Sequence, residues 1–174
     1  MACSLDYTLF CFYERIFSML KINFYPEDDN EDLVKGVQEY QEIWNTEGEK
    51  IVKKLEEISG LKFVENEINA LVFEGISYSI PLQLRVNLDK DLKTATLIHE
   101  LCHRLFAKNN SVPKNPERKF DKLTNHKQIY LILYDLLEDL YGKELAEKNK
   151  QRDFELSKGK DDPYTQAWNW ALSF

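Results

Sequence analysis

The chain of 174 residues contains three histidines, and two of them stand in the pentapeptide His99-Glu100-Leu101-Cys102-His103. No other feature restricts the fold so tightly. Residues four apart on an α-helix lie on one face, a single turn from each other. An H-E-x-x-H segment on a helix therefore lets two imidazoles grip one metal ion, while the intervening glutamate points toward the remaining coordination position. The pattern demands a helix here and a second element facing it. His126 lies beyond a polar loop, where a following helix can carry it back to the same ion.

A catalytic zinc has three protein ligands and one open position, and it lowers the pKa of water held there to near 7. His99 and His103 are expected ligands. Glu100 is the expected general base, taking the water's proton and passing it to the leaving amine. The third ligand is chosen among His126, Glu138 and an acid of the intervening loop. His126 is preferred because it falls in the first turn of the next helix, whereas Glu138 lies three turns further along. With 100° per residue, Ile98, Leu101, Cys102 and Leu105 form the buried stripe of the motif helix. Thr96, His99, Glu100, His103 and Ala107 fall in a neighbouring arc of roughly 100°. A chance match to the motif arises in roughly one chain in a few hundred of this length. The competing explanation is a core-edge helix with incidental histidines.

Composition places the chain among ordinary globular proteins: 43% hydrophobic and 30% charged residues, with a net charge of -7. That charge argues against broad attraction to nucleic acid or anionic membranes, and no apolar run approaches the roughly 20 residues of a membrane span. Cys3, Cys11 and Cys102 follow no disulfide or metal-knuckle spacing, and no signal peptide is evident, so a reducing cytoplasmic setting is expected. Cys102 is expected to be a core thiol. Charge is uneven along the chain. Residues 27–50 carry nine acids and two bases, while residues 104–127 carry seven bases and two acids. This contrast raises the expectation of an acidic segment covering a basic cleft, beside the plainer one of solvated charge.

Periodicity predicts a helix over residues 5–20, a long single helix from the Pro26–Asn30 turn to a stop at Gly60, and the motif helix over about 91–108. Further helices are predicted over 122–141 and 143–158, with an aromatic tail (Tyr164, Trp168, Trp170, Phe174) packing back on the domain. Leu61–Val64, Ala70–Glu74 and Leu82–Leu88 read as short strands of a small antiparallel or mixed sheet. The whole is one α+β domain: a helical part over 1–59, a metal-binding core over 60–142, and a C-terminal helix and tail over 143–174.

Thr96-Leu97-Ile98-His99-Glu100-Leu101-Cys102-His103, followed by Asn125-His126-Lys127-Gln128-Ile129-Tyr130, resembles the small zincin metallopeptidases of the SprT and YgjP type. In these an H-E-L-x-H helix is followed by a loop and a helix opening with His and an aromatic residue four positions on. The likeness covers about residues 60–140. Lys127 stands where a small residue is usual, Tyr130 where Phe or Trp is usual, and no cysteine zinc ribbon follows. The resemblance implies a zincin-like domain with one Zn2+ on His99, His103 and His126, and Glu100 as catalytic base. It also implies a peptide or protein substrate laid as an extra strand along Leu82–Leu88. Tyr130 is the candidate donor to the carbonyl oxygen, with Tyr134 and Arg104 behind it. Two other functions fit the same residues: a catalytically idle zincin-fold module that binds a partner around a structural zinc, and hydrolysis of a non-peptide amide.

Overall fold

The computed structural model describes residues 20–109, 122–157 and 159–174. The expected helix over 5–20 lies outside this range apart from Leu20, as do Cys3, Cys11 and the loop acids Glu117 and Asp121. The described elements are β1 (Lys21–Pro26), α1 (Glu31–Ser59), β2 (Glu67–Phe73), β3 (Leu82–Arg85), α2 (Lys90–Lys108), α3 (Lys122–Tyr141), α4 (Lys143–Leu156) and α5 (Pro163–Ala171). The architecture is α+β, and no described helix is long and apolar enough to cross a membrane.

The sheet departs from expectation. Its three strands run in the order β1-β2-β3 and all are parallel, not antiparallel. Two features of the chain cause this. β1, a strand that periodicity does not predict, is followed by α1, a crossover long enough to return the chain to its starting end. The second return is made without a helix. β3 begins level with Ala70, so the chain must travel back after Phe73 before it can enter. Residues 74–81 do so along the outer side of β3, where Tyr78 forms an antiparallel bridge to Gln83 through both backbone bonds (2.9 and 2.8 Å). The Ile80–Pro81 peptide in the turn is cis. The segment 61–64, expected as a strand, is irregular. The Leu61 N–H is taken by Ser59 Oγ (3.2 Å) and the Phe63 N–H by Glu56 Oε1 (3.0 Å), so side chains replace a ladder.

Alternation places Ile22 and Phe24, Ile68, Ala70 and Val72, and Leu82, Leu84 and Val86 on one buried face. The opposite face is polar, with Lys21, Asn23, Glu67 and Asn69 bonded to one another. α1 covers the apolar face. It begins at Asn30, whose side chain accepts the Asp32 N–H (2.8 Å), and ends at Gly60 in the left-handed region (φ 69°). The helix runs unbroken through Gly48, as the unbroken phase of its stripe predicts. Tyr40, fully buried, donates to the Arg85 carbonyl (2.9 Å), and Glu39 pairs with the buried Lys93, tying α1 to β3 and α2.

Gly36 marks the closest approach of α1 to the sheet. A Cβ there would stand 2.6 Å from Val86 Cγ2 and 3.2 Å from Val72 Cγ1. Gly36→Val is therefore expected to lower the unfolding free energy by about 1–3 kcal/mol through overpacking, read by urea denaturation. An unchanged midpoint and slope would show that the interface yields freely.

Candidate metal centre

The site is built on α2. Asp89 caps it by accepting the Leu92 N–H (3.0 Å), and Ile98, Leu101, Cys102 and Leu105 are fully buried, as their stripe predicts. That burial fixes the helix's rotation and turns His99, Glu100 and His103 into a cavity of about 440 Å³. α3 supplies His126 from the facing side. Nε2 of His103 lies 3.0 Å from Nε2 of His99 and 3.3 Å from Nε2 of His126. Tetrahedral nitrogen ligands on one zinc stand about 3.3–3.4 Å apart, given bonds near 2.0–2.1 Å. The three imidazoles are thus close enough to hold one metal ion, with ligand atoms all within 4.8 Å of each other.

The orientation of His126 supports that fit. Its Nδ1 sits 2.8 Å from the Lys122 carbonyl, a contact that requires the proton on Nδ1 and leaves a lone pair on Nε2 facing the other rings. Aromatic neighbours hold the imidazoles in place. Tyr164 packs edge-on to His126 (4.5 Å) and Tyr130 edge-on to His99 (5.7 Å). Trp168, fully buried on α5, stacks on Tyr130 at 4.0 Å and donates from Nε1 to Asp153 Oδ2 (3.0 Å). The aromatic tail packs back here through Tyr164 and Trp168, whereas Phe174 is exposed.

Burial dominates the electrostatics. It pushes His103 down to about 3 and His126 down to about 4, and it holds His99 well below its ordinary range, with the neighbouring imidazoles adding to the effect at His99 and His103. All three rings are held neutral, the form that ligates a metal. Burial, with a smaller contribution from Asp153, raises Glu100 to about 8. A cation in the cluster opposes that shift and favours the carboxylate.

Tyr130 lines the cavity but is almost wholly buried, and its hydroxyl has no hydrogen-bond partner. Asp153 is near enough to raise that hydroxyl's pKa further, after burial, yet not placed to accept its proton in good geometry. Several expectations fall away. Glu138 is exposed on α3 and does not line the cavity, so among the described residues it is His126 that joins the pair from α2. Tyr134 turns aside to donate to Glu147 (2.5 Å). Arg104 is taken by Glu65 through two bonds (2.6 and 2.7 Å) and by the Ser79 carbonyl (2.8 Å). Ala107 is exposed and off the cavity, while Thr96 lines it. Nothing from residues 27–50 lines the cavity, so the acidic segment does not cover it. Its Glu39 and Glu42 pair instead with Lys93 and Lys90. Cys102 is a core thiol that burial pushes up.

The outer edge of β3 is also unlike the expectation for an edge open to a substrate strand. Tyr78 occupies the Gln83 backbone groups, and Ser77 Oγ accepts the Arg85 N–H (3.1 Å). The segment from Ile76 to Ser79 itself forms one wall of the cavity. A further wall is α4, expected from the sequence only as a charged helix. Asn149, Arg152, Asp153 and Leu156 line the cavity at helical spacing. The available signal was the Asn-x-x-Arg-Asp stripe one turn beyond the buried Leu145 and Ala146. The chain matches no family model, no curated protein and no solved structure.

In an unfolded chain each imidazole titrates near 6.5. On acidification the unfolded state takes up protons that the folded cluster refuses. The histidines therefore contribute their full share to the stability of the metal-free protein above about pH 7 and lose it from about pH 6.5 toward 4, by about 1.4 kcal/mol per pH unit each. The raised Glu100 carboxyl works in the opposite sense below about pH 8 and offsets about one of the three, leaving a net loss on acidification. Thermal melts in chelator across that range provide the check. A melting temperature flat between pH 7 and 5 would contradict the buried neutral cluster.

Proposed function

We propose that this chain is a zinc-dependent metallopeptidase with a zincin-like core, in which His99, His103 and His126 hold one Zn2+ and Glu100 is the general base. The observation that carries the reading is the convergence of three Nε2 atoms beside a buried glutamate in a cleft. A structural zinc has no need of that glutamate. Zn2+ bound there supplies Lewis acidity and a water that ionises near neutral pH.

The chain's own groups do the rest. Glu100 accepts a proton from the attacking water and delivers it to the leaving nitrogen as the peptide C–N bond breaks. Its carboxyl is shielded from bulk solvent, so the proton stays within the site. Tyr130 offers an unpartnered hydroxyl to the carbonyl oxygen as negative charge develops on it. The Lys122 carbonyl holds His126 in the ligating tautomer. The resemblance to the SprT and YgjP type motifs points the same way, as does the chain's lack of broad basic character for the exclusion of a nucleic-acid substrate.

One observation favours the idle, partner-binding module as a second reading. The edge of β3 along which a substrate strand would lie is already filled by Tyr78 and Ser77. Metal analysis and peptide cleavage separate the two. Purified protein is expected to carry about one equivalent of zinc. Glu100→Gln is expected to keep the metal and lose roughly 10²–10⁴-fold in cleavage rate. His126→Ala is expected to lose zinc, and Glu138→Ala to retain it. Full zinc with no cleavage of a diverse peptide library would leave the idle module standing.

A further inference from the structure

Arg104 has its carboxylate; the two arginines that line the cavity do not. Arg85 donates from Nε to the Gly75 carbonyl (2.9 Å), and Arg152 from Nη1 to Thr96 Oγ1 (3.3 Å). Among the described residues neither guanidinium forms an ion pair, although both residues are partly buried. Paired buried arginine is the rule, because removing an unpaired charge from water is costly. Burial disfavours the charge on Arg152, and the Arg85 guanidinium in the same cavity adds to that effect while Asp153 opposes it.

Position makes the pair informative. Thr96, which accepts from Arg152, stands one helical turn before His99 and Glu100 on α2, about 5 Å along the helix axis, and all four residues line the same cavity. Two acids share the cavity. Asp153 is engaged by Trp168 and burial drives it toward its protonated form, and Glu100 lies buried between the two motif histidines on α2; among the described residues neither reaches a guanidinium within ion-pair distance. Asn149 is 2% exposed, and its Nδ2 has no hydrogen-bond partner. Arg85, Asn149 and Arg152 thus line one recess, the two guanidiniums without a carboxylate and the Asn149 amide without an acceptor.

We propose that Arg152 and Arg85, with Asn149 beside them, form an anion subsite that receives a carboxylate of the bound peptide. A carboxylate accepts bidentate bonds from the planar guanidinium forks and takes the remaining amide donor of Asn149. It rests on the peptidase reading only for the bound molecule being a peptide. The subsite makes the cavity selective for a substrate with either a free C-terminus or an acidic side chain near the bond to be cleaved.

Three peptides test it by calorimetry: N-acetyl-trialanine with a free carboxylate, its C-terminal amide, and the amide with glutamate as its central residue. Each is titrated into the full chain, zinc-loaded and chelator-treated. At least one acidic peptide is expected to bind about tenfold tighter than the neutral amide in both states. Whichever it is names the source of the carboxylate. The preference is expected to vanish in Arg152→Gln and to persist partly in Arg152→Lys. Should Arg152→Gln fail to fold by circular dichroism, Arg85→Gln serves in its place, with a reduced preference expected. Equal binding of all three peptides by the chelated wild type overturns the proposal, as does a preference that survives in folded Arg152→Gln. A preference seen only with zinc places the carboxylate on the metal and overturns it too. Zinc content and cleavage on the same preparation judge the peptidase reading separately: no cleavage with an intact preference sinks that reading and leaves the subsite.

Discussion

Three imidazole nitrogens within a few ångströms of one another, away from bulk water, make a demanding arrangement. Lone pairs facing each other repel, and protons on all three would bring like charges together in a poorly solvated space. A shared cation would satisfy all three at once. The rest of the structure can be read as what is needed to hold them there. α2 must keep one rotation, so its opposite stripe is fully buried. α3 must meet α2 at its first turn, and the Lys122 carbonyl sets the ring that arrives there. α5 braces the site from behind through the stack of Trp168 on Tyr130.

The sheet serves this arrangement from a distance. Its single apolar face gives α1 a bed, and Gly36 lets the helix settle close to Val72 and Val86. From there Tyr40 and Glu39 reach β3 and Lys93, so α2 leaves the sheet from a fixed point. The return segment after β2 then becomes part of the functional wall. A short connection between parallel strands, forced back along the sheet's rim, brings Ile76 to Ser79 over the cavity. The sheet thus positions the site with its loop rather than with its ladder.

What the sequence revealed and what it hid follow from the range of the interactions involved. Helical periodicity is local, so the extent of α1 through Gly48 and its stop at Gly60 were readable, as were the two faces of α2. The histidines were readable because their chemistry is narrow. Strand direction was not. Alternation in Leu82–Val86 reports which face is buried but is the same in either orientation, and the β1 strand was short enough to escape notice beside the Pro26 turn. Arg104 looked available in the sequence and is consumed by Glu65, a partner 39 residues away. Arg152 looked like one charge among many on a polar helix. Its place in the cavity depends on how α4 packs, which no window of residues around it records. Tyr130 and Tyr134, one turn apart, met opposite fates for the same reason: one faces Trp168 and the other Glu147.

The order of these parts along the chain has a consequence for how the centre is made. All three histidines precede α4 and α5, which wall and brace the cavity. During synthesis His126 therefore emerges before Trp168, Tyr164 and Arg152 exist to close around it. At that stage the imidazoles lack the walls that α4 and α5 supply in the finished fold. An ion held by those imidazoles at that stage would afterwards be enclosed by the C-terminal helices.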